Sequence, residues 1–172
     1  MRRKFKTALF VATLAVYAVM VFWSLPKISD AAGGLMPFDL RPAGYDLEAA
    51  RAFIKALDAE GARFYLEVQH RLDMVYPALL AASLIVALIW AWRGAPRWVP
   101  ALACAAAVIG AGADYAENWA VAGMISGGVD GLTTEIVDWA SRASRTKAVL
   151  TTVAMVVLLV GLVLRFLKRW RG

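Results

Sequence analysis

Between Trp98 and Ala113 the chain carries no charge, and the next residues read Asp114, Tyr115, Ala116, Glu117, Asn118, Trp119. On a helix, Asp114, Glu117 and Asn118 fall at i, i+3 and i+4 and share one face. Two carboxyl groups side by side can act as acid and base or hold a cation, and an amide adds a donor and an acceptor. Lys147 is the matching ammonium, with Thr151 one turn beyond it, and Asp73 and Tyr76 stand just before Pro77. Asp73, Tyr76, Asp114, Glu117, Asn118, Lys147 and Thr151 are therefore the candidate binding pocket. Lys147 with Asp114 or Glu117 is the expected ion pair.

The elements that must position these residues follow from composition. Hydrophobic residues make up 61% of the 172, with seven tryptophans and a mean hydropathy of +0.61, against the roughly 45–50% apolar content of a soluble domain. Four apolar runs stand out, Ala8–Trp23, Pro77–Trp92, Trp98–Ala113 and Ala148–Leu164. With interfacial flanks each reaches the roughly 20 residues needed to span a bilayer. The expected fold is all-α, an integral membrane four-helix bundle with spans at about 7–25, 73–92, 98–121 and 146–165 and an outer loop over 26–71. At 1.5 Å per residue, Trp98 to Asp114 covers about 24 Å of a hydrocarbon core roughly 30 Å thick. Asp114 is thus expected in the far leaflet, where a charge is costly and turns toward the interior to pair. The competing reading makes Glu117, Asn118 and Lys147 helix ends emerging into water. Gly110 and Ala111 continue the Asp114 face as small residues that admit a neighbouring helix.

Orientation follows from charge. The segments before the first span, between the second and third, and after the fourth contain ten basic residues and no acidic ones. The positive-inside rule then places both termini in the cytoplasm of a bacterial inner-membrane protein. The net charge of +6 is a topology signal with membrane lipids as its partner, and no nucleic-acid platform accompanies it. The opening residues also resemble a secretory leader, with Ser29-Asp30-Ala31 as a cleavage site, but the apolar stretch is long and Pro26 and Lys27 intervene, so a retained helix is expected.

The first outer loop contains one amphipathic helix pattern, with Asp46 as N-cap, Leu47, Ala50, Ile54 and Leu57 at helical period, and Gly61 as its stop. Phe38 and Tyr45 are expected anchors in the glycine- and proline-rich stretch before it. From Ala62 a second helix puts Arg63, Glu67 and Arg71 on a solvated stripe and Tyr65, Gln69, Asp73 and Tyr76 on the opposite side. Pro77 is expected to start or kink the membrane helix and to free the Asp73 carbonyl. Thr133 or Thr134 should cap a helix that runs into the fourth span, where Ser144, Lys147 and Thr151 share a face.

Several chemistries lack their residues. His70 is the single histidine and Cys104 the single cysteine, so bis-histidine haem, a redox pair and a zinc-thiolate cluster are excluded, and no phosphate loop or nucleophile elbow appears. No metal site and no cofactor is expected. The inner halves of the spans show no polar path, which argues against conduction. The stretch from Phe38 to Lys147, with "FDLRPAGYDLEAARAFIKALDAEG", "DMVYP", "DYAENW" and "SRTK", resembles an uncharacterised group of small four-span bacterial inner-membrane proteins. That resemblance implies the four-helix architecture and no reaction or ligand. The residues themselves point to an outer-leaflet pocket for a lipid-like or amphipathic small molecule. The alternatives are a membrane-embedded enzyme using Asp114 or Glu117 as acid or base, and a structural or assembly subunit whose polar cluster fixes helix register.

Overall fold

The four apolar runs each lie within one long helix, because a backbone in lipid finds no water and must satisfy its N–H and C=O groups internally. The computed structural model describes residues 3–170. Its helices are α1 at Arg3–Ala31, α2 at Leu47–Ala56, α3 at Ala59–Ala91, α4 at Trp98–Gly127 and α5 at Thr134–Trp170. α1, α3, α4 and α5 are long and apolar enough to cross a membrane, and no strand occurs among the described residues. Leu14, Phe22, Leu102, Ile109, Val149 and Leu159 are largely exposed, the outward apolar surface of a bundle solvated by lipid. α1 packs on α3, α3 on α4 and α4 on α5, while α1 and α5 make no comparable contact. The bundle is therefore open along one side.

The helices outrun the apolar runs at the end that carries the long loop, here the loop end. α1 continues through Pro26 to Ala31 and α3 begins at Ala59, so residues 32–58 connect the two, and both helices extend beyond the expected spans at 7–25 and 73–92. Pro26 sits at the first turn of the α1 continuation, where a missing N–H costs little, just after a wide π turn at Met20–Ser24. A second π turn, Tyr65–Gln69, interrupts α3. The two π turns touch, and Ser24 Oγ donates to Gln69 Oε1 at 2.5 Å. Such turns carry one extra residue, which re-aims the side chains after them.

Two local expectations are corrected. Gly61 is not a helix stop: α2 ends at Ala56 with Leu57 extended, and Gly61 lies inside the first turn of α3, its N–H donating to the Asp58 side chain at 2.7 Å. A Cβ there would meet the Ala31 Cβ at 2.5 Å, so this glycine permits close packing of α1 on α3. Pro77 does not start the membrane helix; it is buried inside α3, after the π turn that ends at Gln69. By contrast, Asp46 does cap α2, accepting from Ala49 N at 2.8 Å, and Thr133 Oγ1 accepts from Ile136 N at the start of α5.

The loop folds inward as a cap. Phe38, Tyr45, Ala50, Phe53 and Ile54 bury themselves against Ile28, Tyr65, Met124 and Val137 at the loop ends of the spans. The Phe38 ring lies 4.7 Å from Tyr45, tilted, and 4.8 Å from Phe53, edge to face, centroid to centroid, and the Arg41 guanidinium lies 5.4 Å from it. At the other end a smaller core joins Leu84, Leu88, Ala103, Ala107 and Ala154. The halves nearer the termini are not wholly apolar: Thr13 and Ser83 place their hydroxyls 2.8 Å apart between α1 and α3. The Thr13 hydroxyl also reaches the Leu9 carbonyl at 2.9 Å and the Leu79 carbonyl at 3.3 Å, so the pair fastens two helices.

Candidate functional site

Two helices contribute matching i, i+3 pairs. α4 presents Asp114 and Glu117, and α5 presents Ser144 and Lys147. Gly110 lets them approach, since a Cβ there would lie 3.1 Å from Thr151 Oγ1. Lys147 Nζ stands 2.5 Å from Glu117 Oε2 and 3.2 Å from Asp114 Oδ1. Lys147 thus pairs with both carboxylates, more closely with Glu117, and donates a hydrogen bond to Asp114 Oδ1. The remaining Glu117 oxygen accepts from Ser144 Oγ at 2.5 Å. Glu117 is fully buried and Asn118 nearly so. Neither is a helix end meeting water.

α3 brings the third carboxyl. Asp73 is buried, and its Oδ1 accepts from Gln69 Nε2 at 2.9 Å, which extends the Ser24–Gln69 bond into a chain across α1 and α3. Its carbonyl, which Pro77 cannot serve, takes a bond from Asn118 Nδ2 at 3.2 Å instead. A side chain of α4 thus serves the carbonyl that proline leaves free. Asn118→Leu is expected to cost about 1–3 kcal/mol by leaving that carbonyl without a donor. In a Pro77→Ala background the restored N–H reaches the same carbonyl, and the substitution should cost less. Thermal unfolding of the four proteins measures the difference; equal costs would show that amide and proline act independently.

The cap adds a fourth carboxyl that sequence reasoning missed. Asp39, in the 3-10 turn Phe38–Leu40, accepts a hydrogen bond from the Tyr65 hydroxyl. Tyr45 is anchored through its backbone N–H, which donates to Ser141 Oγ at 2.9 Å, and its buried hydroxyl has no hydrogen-bond partner. Burial, then the charges of Glu117 and Asp39, push the Tyr45 hydroxyl above its ordinary value. It therefore stays a neutral phenol with a proton to donate.

A cavity of about 280 Å³ opens among these groups. Asp39, Asp73, Tyr76, Asp114, Lys147 and Thr151 form its polar side, and Tyr17, Val21, Leu80 and Met155 its apolar walls. The Tyr76 ring stacks on Tyr17, centroids 5.9 Å apart. Of the seven residues expected, Asp73, Tyr76, Asp114, Lys147 and Thr151 line this space; Glu117 and Asn118 sit behind it, holding Lys147 and the α3 backbone. The cavity draws on α1 and α5, the two spans that do not close on each other. Among the described residues no group of three or more potential metal ligands converges on one point.

Carboxyls outnumber cations here, since Asp39, Asp73, Asp114 and Glu117 surround a single lysine. The arrangement offers acceptors and one shared ammonium to a polar headgroup, beside an apolar wall for a chain. No family model, curated protein or solved structure matches this chain, so the reading of function rests on this geometry.

Proposed function

We propose that this is a multi-pass protein of the bacterial inner membrane, both termini cytoplasmic, that binds a lipid-like or amphipathic small molecule in the loop-end cavity. The observation that carries this reading is a cavity with a charged floor and apolar walls, placed where α1 and α5 part. Its volume of about 280 Å³ lies just under the roughly 300–1,000 Å³ of pockets that enclose drug-sized ligands. A headgroup with the first part of its chain fits; the rest of the chain stays in lipid through the gap. Native mass spectrometry of the detergent-extracted protein is expected to find a co-purifying amphiphile or quinone. Ala148 lines the cavity, and Ala148→Phe should fill it and lose that mass at an unchanged unfolding temperature. Equal retention by Ala148→Phe would place the molecule elsewhere.

The ten-to-zero basic asymmetry supports this orientation and, with it, an outer-leaflet position for the cavity. Periplasm-only reporters fused after Asp58 and Gly128 should be active, and fusions at Gly94 and Gly172 silent. Activity at Gly172 would overturn the orientation. The enzymatic alternative named Asp114 and Glu117, and the geometry favours the first. Asp114 both lines the cavity and touches Lys147, while Glu117 is shut behind it, so an acid or base acting on a membrane-dissolved substrate would be Asp114.

A further inference from the structure

At the opposite end of the bundle, the end carrying the termini, a groove of about 930 Å³ lies between the last turns of α3 and those of α5. Its lining includes Trp90, Trp92, Arg93, Arg165, Phe166 and Lys168. Three of these are basic, and none of the twelve residues that line it is acidic. We propose that this groove is a binding site for an anionic phospholipid, with the phosphate at Arg93 and Arg165 and an acyl chain along Phe166.

Topology alone requires basic residues at this end, but it does not require a shaped groove. The floor is built by two specific contacts. Trp92 Nε1 donates to Val157 O of α5 at 3.1 Å, and the indole rests in a notch that exists because residue 161 is glycine: a Cβ there would sit 2.5 Å from Trp92 Nε1. The wall is equally fixed. The Arg165 guanidinium lies 4.5 Å over the Trp90 ring and donates from Nη1 to the Trp90 carbonyl at 3.0 Å. Stacking and that one bond orient the planar group and leave further N–H donors for an oxyanion, the bidentate recognition for which arginine is suited.

Charge complementarity selects the occupant. Three cations with no carboxylate among the groove's lining residues select an anion. The tryptophans and the exposed Phe166 put the site at the depth where indoles meet headgroups. A soluble anion would gain nothing from Trp90, Trp92 and Phe166, whereas a phospholipid uses both halves. This site is independent of the loop-end cavity, and its test does not depend on what that cavity holds.

The test titrates detergent-purified protein with phosphatidylglycerol and with phosphatidylcholine of the same chains, read by native mass spectrometry. The wild type should retain phosphatidylglycerol preferentially. Arg93→Gln with Arg165→Gln removes two of the ten topology charges and should weaken that retention by about tenfold or more, from the usual effect of one basic residue near an anionic headgroup. Gly161→Leu fills the notch with no change of charge and should weaken it as well, which separates a shaped site from general surface charge. Excess inorganic phosphate should fail to displace the lipid. Equal retention of the two lipids, an unaffected double variant, or displacement by phosphate alone would each overturn the proposal; should Gly161→Leu fail to fold, the double variant still decides.

Discussion

Replacing Lys147 with methionine is expected to destabilise the bundle by about 3–5 kcal/mol, the cost of breaking a buried pair by removing one partner. Lys147 Nζ lies 2.5 Å from Glu117 and 3.2 Å from Asp114, and the Glu117 side chain is 1% exposed. Methionine fills similar volume and removes the charge, leaving two carboxyls facing each other's field. Because Glu117 is both nearer and more buried than Asp114, Glu117→Gln should recover more stability in the Lys147→Met background than Asp114→Asn does. The recovered variants then separate the readings. If the cluster only fixes helix register, Lys147→Met with Glu117→Gln keeps both fold and co-purified amphiphile. If the cavity binds through Lys147, the fold returns and the amphiphile does not. Unfolding temperatures for Lys147→Met within a degree of wild type would show that the ion pair contributes nothing.

The four spans were legible because a run such as Trp98–Ala113, with no charge in sixteen residues, has few other uses than crossing lipid. Asp46 was legible because capping is decided within one turn of chain, as its bond to Ala49 N shows. Gly61 was misread for the opposite reason. A glycine at a helix stop and a glycine at a close helix crossing look alike locally, and what distinguishes them is Ala31 on another helix, 2.5 Å from where a Cβ would go. Pro77 is partly the same: that it frees the Asp73 carbonyl follows from its own ring, whereas the donor that serves this carbonyl is Asn118 on α4. The π turns at Met20–Ser24 and Tyr65–Gln69 have no signature in their own segments, and they meet across two helices where Ser24 bonds Gln69.

In the site, i, i+3 spacing on α4 and α5 was enough to bring Asp114, Glu117 and Lys147 together. It could not tell which carboxyl faces the cavity. Three residues on a helix leave side chains about 60° apart in direction, sufficient to line a space with one and wall it off with the other. Asp39 was invisible because nothing in its own segment says where the loop goes. Its signal was its neighbour: Phe38, already expected as an anchor, fixes the position of whatever follows it.

That dependence makes Phe38→Ala the second large effect, with an expected cost of about 3–5 kcal/mol for truncating a fully buried aromatic. Phe38 is 0% exposed and its ring is held between Tyr45 and Phe53. The cap is where such a loss falls most heavily. Between spans, lipid is as apolar as the side chains it would contact, so helices associate through close packing and polar bonds; the loop faces water in the proposed orientation, and its apolar burial is driven by the hydrophobic effect. The loss should therefore be local. Hydrogen exchange is expected to show α2, Leu47–Ala56, losing protection while α4 and α5 keep theirs. Asp39 would leave the cavity with the cap, and the co-purified amphiphile should go with it. Asp39→Asn separates the two causes, since it leaves Phe38, Tyr45 and Phe53 in place and removes only the carboxylate that accepts from Tyr65. Amphiphile lost in both variants would assign the binding to the carboxylate; amphiphile lost in Phe38→Ala alone would assign it to the cap as a wall. Unchanged protection of α2 in Phe38→Ala would mean that the cap is held by something other than this aromatic cluster.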